Sequence, residues 1–252
     1  MLEELRQRLQ VLQKTAGIDG DPGVLPFGLP AVDGVLGGGL LRGALHEIAA
    51  ASEAHLAAAT GFALALASLR GKTHEKPRAL VWIAEDMALN ESGAPYGPGL
   101  DAFGLAPERL LTIAVAHRRD LMGAMEEALR CRAVGAVIGE VRHGTLDPVA
   151  VRRLSLAAAE SGAFAFLLRS APQRDASTAA TRWIVGAAPS LAAHRPFEFA
   201  PPRFATQLIR NRRGPTASWI FEWSADDESF IRATPALPVA AAPVDRPRRK
   251  VA

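Results

Sequence analysis

The chain has 252 residues, 49% hydrophobic, enough for one good-sized α/β core with tails or at most two small domains. Its formal net charge of +3 permits contact with nucleic acid or an acidic partner without demanding either. No run approaches the ~18 apolar residues of a membrane span, Glu3 and Glu4 do not suit a signal peptide, and the single Cys131 excludes an internal disulfide, so a cytoplasmic protein is expected.

Leu2, Leu5, Leu9 and Leu12 stand three or four apart among Glu, Arg and Gln, which predicts an amphipathic helix over 1–16 with a narrow apolar stripe. Gly17, Gly20, Pro22 and Gly23 make a hinge of 17–24. The helix either packs on its own core or serves as a detachable arm for a neighbouring subunit or partner. A core domain is expected over 25–232. It opens with Pro30 starting a short helical turn around Val32 and Leu36, and Gly37-Gly38-Gly39 allow a sharp return into a strand.

That strand, Ala44 to Ala49, feeds an Ala/Leu-rich helix reaching about Arg70 through a tight connection. A strand entering a helix this way is where nucleotide-binding α/β proteins hold phosphate. Such a loop needs Gly, four residues, Gly, Lys and Ser or Thr. The matching positions here hold Ala50, His55, Leu56 and Ala57. Arg42 or His55 could in principle substitute for the lysine, yet neither lies on the usual spacing. The geometry is kept and the chemistry lost. Gly71-Lys72-Thr73 imitates the end of a phosphate loop, but it follows a helix, precedes a strand, and has Leu66 five positions before Gly71.

Further on, strand 79–84 leads to Glu85-Asp86 and a Gly/Pro-rich loop at 92–99. A short helix near 100–104, strand 110–115, helix 119–132 and strand 134–139 follow. Asp147-Pro148 is an N-cap and first-turn pair for a helix closing at Ser161-Gly162, before strand 163–168. This alternation predicts a mostly parallel sheet flanked by helices on both faces. From 182 the pattern is strands alone, at 182–187, 204–210 and 217–223, the last two forming a hairpin as a C-terminal antiparallel extension. Residues 233–252, Pro-rich and ending in Arg246, Arg248, Arg249 and Lys250, are expected to be a disordered basic tail.

Several strings resemble the RecA/RadA core. Leu29 to Leu40 is similar to the segment leading into its first core strand, and His46-Glu47-Ile48 to the end of the strand entering the phosphate loop. Ala84-Glu85-Asp86 resembles the catalytic-glutamate region, Ala136 to Glu140 the end of the magnesium-coordinating strand, and Thr206 to Arg212 the late strand and turn. A RecA-like chain with Leu56 at the lysine position, Ala57 at the magnesium-hydroxyl position, shortened loops and a basic tail is similar to the ImuA family, RecA-related accessory proteins of bacterial SOS mutagenesis cassettes. That resemblance implies a non-catalytic scaffold in translesion synthesis. The implied partners are an ImuB-like polymerase-related, clamp-binding protein and an error-prone polymerase, with RecA or a second copy as further candidates. A SulA-like cell-division inhibitor and an ATP-dependent recombinase are the competing readings.

No catalytic residue, cofactor or metal ligand is expected. Glu85, Asp86 and Glu140 sit at strand ends without phosphate or metal partners, and the histidines are dispersed. The candidate partner or DNA contacts are Leu2, Leu5, Leu9 and Leu12, the knob of Arg210, Arg212 and Arg213, and the terminal Arg246, Arg248, Arg249 and Lys250. The arginine knob reads either as a solvated turn or as a contact for DNA phosphate or an acidic partner.

Overall fold

In the computed structural model, which describes residues 23–69, 78–173, 177–190 and 200–233, the glycine triplet is the turn that lets the first segment fold back. Gly37, Gly38 and Gly39 all have positive φ, and a Cβ on Gly39 would lie 2.3 Å from the Leu25 carbonyl oxygen. Strand β1 (Val24–Leu25) thereby pairs with β2 (Leu40–Leu41), with the one-turn helix α1 (Pro30–Asp33) between them. The Asp33 carboxylate accepts from the Phe27 and Leu29 amides at 2.7 and 3.1 Å, which fixes that turn.

The remaining elements are β3 (Leu45–Ala50), α2 (Leu56–Leu69), β4 (Ala79–Glu85), α3 (Asp86–Ser92), α4 (Gly97–Asp101), β5 (Leu110–Val115), α5 (Arg118–Arg130), β6 (Val134–Val141), α6 (Pro148–Ser161), β7 (Phe164–Arg169), β8 (Thr181–Ala187), β9 (Arg203–Asn211), β10 (Ala217–Ser224) and β11 (Ser229–Arg232). The main sheet has nine strands in the order β11-β10-β9-β8-β3-β7-β6-β4-β5. From β8 to β5 every neighbour is parallel, whereas β8-β9, β9-β10 and β10-β11 are antiparallel. The expected mostly parallel sheet with a C-terminal antiparallel extension is the one observed.

Alternation sorts the side chains into two cores. On one face lies α2, whose residues from Gly61 to Leu69 are all buried, as expected of a helix apolar on every side. Phe62 of α2 meets Trp183, Phe204, Phe221 and Phe230 at centroid distances of 5.5 to 6.1 Å. Trp219, Phe221 and Trp223 of β10 point inward while Ile220 and Glu222 are half-buried, so the aromatic alternation of this strand covers a sheet face. The opposite face carries α5 and α6, with Leu121, Met125, Leu129, Val151 and Leu154 against Val81, Ile83 and Val137. A Cβ on Gly139 of β6 would come within 2.1 Å of the Met125 sulfur, so the bare glycine is what lets α5 sit this close. Asp147 caps α6 by accepting from the Val149 amide at 3.0 Å, and Gly162 ends it at φ +69°.

Three expectations need correction. Strand β6 runs to Val141 rather than ending at 139, which brings Glu140 into the strand. Helix α3 starts directly at Asp86, one residue past β4, and β11 adds a fourth strand beyond β3 on the antiparallel side. The proposed N-terminal helix, most of the hinge, the Gly71-Lys72-Thr73 string and the basic tail lie outside the described residues.

Candidate functional site

The connection between β3 and α2 is built from Ala51, Ser52 and a 3₁₀ turn at Glu53–His55. It is stitched to the neighbouring strand. The Ala51 amide donates to Val185 O of β8 at 2.8 Å, the His55 amide to Ser52 O at 2.9 Å, and the Ala187 amide donates to Nδ1 of His55 at 3.1 Å. At the next position Leu56 packs against the α2-side core, and Ala57 is exposed. Two amides of the connection thus serve the fold itself.

Beside this connection, at the carboxyl ends of the strands, lies a cleft of about 470 Å³. Its walls come from the 3₁₀ turn (Glu53, Ala54), the start of α2 (Leu56, Ala57, Thr60), β4 (Trp82), 91–95, Glu140, Arg142, His143 and Ser170. Arg142 is the hub. Its guanidinium meets Glu140 Oε1 at 2.9 Å, Glu91 Oε2 at 3.3 Å, Ser92 Oγ at 2.6 Å and Ala88 O at 3.3 Å. Ser170 Oγ donates to the Arg142 carbonyl, and Arg169 donates to Gly144 O at 2.7 Å, so the strand ends carrying the hub are tied together. Glu85 faces Arg118 at 3.5 Å, and His143 stands 3.9 Å from Glu53. The cleft-lining carboxylates are Glu53, Glu91 and Glu140 against the single guanidinium of Arg142, three acidic side chains to one arginine. The indole N–H of Trp82, a residue 2% exposed, has no acceptor among the described residues.

Of the three acids placed at strand ends by the sequence, Glu85 and Glu140 have partners from the chain itself, and Asp86 is exposed at the start of α3. Arg142 was not among the residues singled out. Its signal lay in the Glu140-x-Arg142 spacing, which puts both on one face once the strand is extended to 141. No group of three or more His, Cys, Asp or Glu with metal-holding geometry occurs among the described residues.

Under β3 runs a polar chain. Trp183 Nε1 donates to Thr181 Oγ1 at 2.8 Å, Thr181 Oγ1 stands 2.8 Å from His46 Nδ1, and His46 Nε2 lies 2.8 Å from Leu41 O. A carbonyl only accepts, so Nε2 carries the proton and Nδ1 accepts from Thr181. Full burial pushes the His46 imidazole down to about 4, against the smaller opposing effect of its bond to Leu41. Next to it Glu47, 5% exposed, binds Arg182 Nε at 2.7 Å and accepts from Ser177 Oγ, while Arg182 also donates to Gln173 O at 2.7 Å.

The arginine knob is dispersed. Arg210 donates to Ser177 O at 2.7 Å, Arg213 reaches Gly37 O at 2.9 Å, and Arg212 is exposed at the turn. Asn211 Nδ2 holds the turn to Val35 O at 2.8 Å, so this hairpin tip is docked on the glycine-rich segment. The leucine stripe and the terminal arginines and lysine proposed as contacts fall outside the described residues.

A parallel sheet with helices on both faces, entered by a strand–turn–helix and extended by antiparallel strands, is the RecA-like architecture. The crystal structure of the RadB recombinase matches it with a TM-score of 0.54 at 14% identity, covering 80% of this chain and 97% of that one. No family model matches the chain. It is 30% identical over 210 residues to Protein ImuA of Caulobacter vibrioides, in two strains, covering 79% of this chain and 83% of that protein. The chain belongs to the ImuA family. No helix among the described residues is long and apolar enough to cross a membrane.

Proposed function

We propose that this chain is a non-catalytic RecA-like accessory protein of the DNA-damage response. It acts as a scaffold beside a polymerase-related protein and an error-prone polymerase in translesion synthesis. Membership of the ImuA family supports the setting. The observation that carries the non-catalytic reading is the cleft charge. Where the fold would hold a triphosphate, Leu56 packs inward in place of a lysine and the lining carboxylates outnumber the one guanidinium. A triphosphate entering there meets like charge without the lysine and hydroxyl that normally offset it.

Three measurements test this reading. Calorimetry of the full chain with ATP and Mg²⁺ is expected to give no saturable heat, and DNA is expected to elicit no ATP turnover. In a strain deleted for the chain, damage-induced mutation frequency is expected to collapse and to return on complementation. Saturable ATP binding would remove the non-catalytic reading, and an unchanged mutation frequency the translesion one.

A further inference from the structure

At the end of the sheet opposite the cleft, three adjacent strands begin on arginine. Arg78 directly precedes β4, Arg109 directly precedes β5, and Arg132 stands two residues before β6. The order β6-β4-β5 makes them neighbours, and the register holds their starts level, with Ala79 opposite Val134 and Leu80 opposite Leu110. The Ala79 amide donates to Ala133 O at 2.9 Å, which ties together the residues that follow Arg78 and Arg132. At ~4.8 Å per strand the three backbones lie within about 10 Å. All three arginines are exposed, and none is paired with a carboxylate among the described residues. Arg130, in the last turn of α5, adds a guanidinium that Glu126 already holds at 2.6 Å. The exposed acids nearest in sequence are Glu108 and Glu127, one short of the unpaired arginines. Like charges held this close repel, so a polyanion is the ligand that relieves the row.

We propose that this arginine row is a contact for the phosphate backbone of duplex DNA, made without regard to base sequence. A guanidinium donates in a planar fork that matches phosphate oxygens. A duplex is a stiff rod with one charge per ~1.7 Å of axis, so a single stretch can meet all three arginines at once. No Phe, Tyr or Trp stands at 78–80, 107–110 or 130–134, so the row has no surface on which unpaired bases would stack. Phosphate contacts of this kind position a protein on DNA and carry no sequence information. The row lies a strand length, about 20 Å, from the cleft at the carboxyl ends. It therefore goes beyond the scaffold reading and stands whether or not the cleft takes nucleotide.

The single Cys131 is exposed between Arg130 and Arg132 and gives the test its probe position. The full chain with iron–EDTA tethered at Cys131 is expected to cleave two duplexes of unrelated sequence alike at ~50 mM salt. The same reagent beside the cleft, in an Ala57→Cys/Cys131→Ser chain, should leave them intact. In fluorescence anisotropy, the slope of log affinity against log salt should shrink by about 0.9 for each arginine removed, hence by about 2.7 in R78Q/R109Q/R132Q. Between ~50 and ~200 mM salt the native chain then loses about 40-fold more affinity than that variant. The three side chains are exposed, so urea unfolding of the two proteins should coincide. Equal slopes, equal cleavage from both tether positions, or no duplex binding at ~50 mM salt would overturn the contact. So would poly-glutamate bound as tightly as the duplex and lost in the same variant, which assigns the row to an acidic protein. ATP calorimetry bears on the cleft alone, so failure here leaves the accessory reading standing.

Discussion

Lowering the pH from 7 to 5 should weaken this fold through His46. The fully buried imidazole is held neutral with a pKa of about 4, against 6.5 for an exposed histidine. In the unfolded chain His46 takes a proton once the pH drops below about 6.5, while the folded chain refuses it until about 4. The unfolded state thus binds more protons across that window, and stability falls as pH falls through it. The difference of the two titrations amounts to about 2 kcal/mol at pH 5 and about 3 kcal/mol by pH 4. Urea unfolding at pH 7 and pH 5 would be measured for the native chain and for His46→Gln, whose amide can still bridge Thr181 and Leu41. The native chain should lose about 2 kcal/mol more than the variant between those pH values. Where the variant is too unstable to compare, the imidazole of the native chain can be titrated by NMR. A His46 resonance moving with a midpoint near 6.5, or equal losses in both proteins, would refute the reasoning.

Thr181→Val removes the hydroxyl that serves both His46 and Trp183, so two buried groups lose their partner at once. The expected loss is about 2–4 kcal/mol by chemical denaturation. Glu47→Gln leaves the Arg182 guanidinium, 14% exposed, beside a neutral amide, and should cost about 3 kcal/mol in the same assay. Gly139→Val drives a side chain into Met125, and a fall of about 1–3 kcal/mol is expected, with Met125→Ala in the same chain recovering part of it.

The sheet was legible because its strands are short apolar runs between glycine and proline punctuation, and the helices because caps such as Asp147-Pro148 are local. Helix α3 was not. It begins without a spacer after β4, so no loop signal separates Asp86 from the strand. Strand β11 is only four residues long, with Ile231 exposed, and its pairing with β10 leaves no period to read. The absence of the phosphate-loop residues is a matter of spacing along the chain and was visible directly. What fills the cleft instead was not, because Arg142 gathers partners from Ala88, Glu91 and Ser92, some fifty positions away. The contacts of the arginine knob were hidden for the same reason: Arg210 and Arg213 donate to Ser177 O and Gly37 O on separate segments.

The strand order bears on how the chain comes off the ribosome. Strand β3 lies mid-sheet, and its partners are β7 and β8, so Ile48 waits for Leu168 and Trp183 before it has a neighbour on either side. At about 5–20 residues per second, that wait is on the order of ten seconds. During it the apolar α2 that follows β3 has no partner sheet to rest on. Such long sequence separations also slow refolding of the finished chain. Stalled or truncated products ending before β7 should therefore need chaperone cover, whereas loss of β11 alone leaves the central pairing intact.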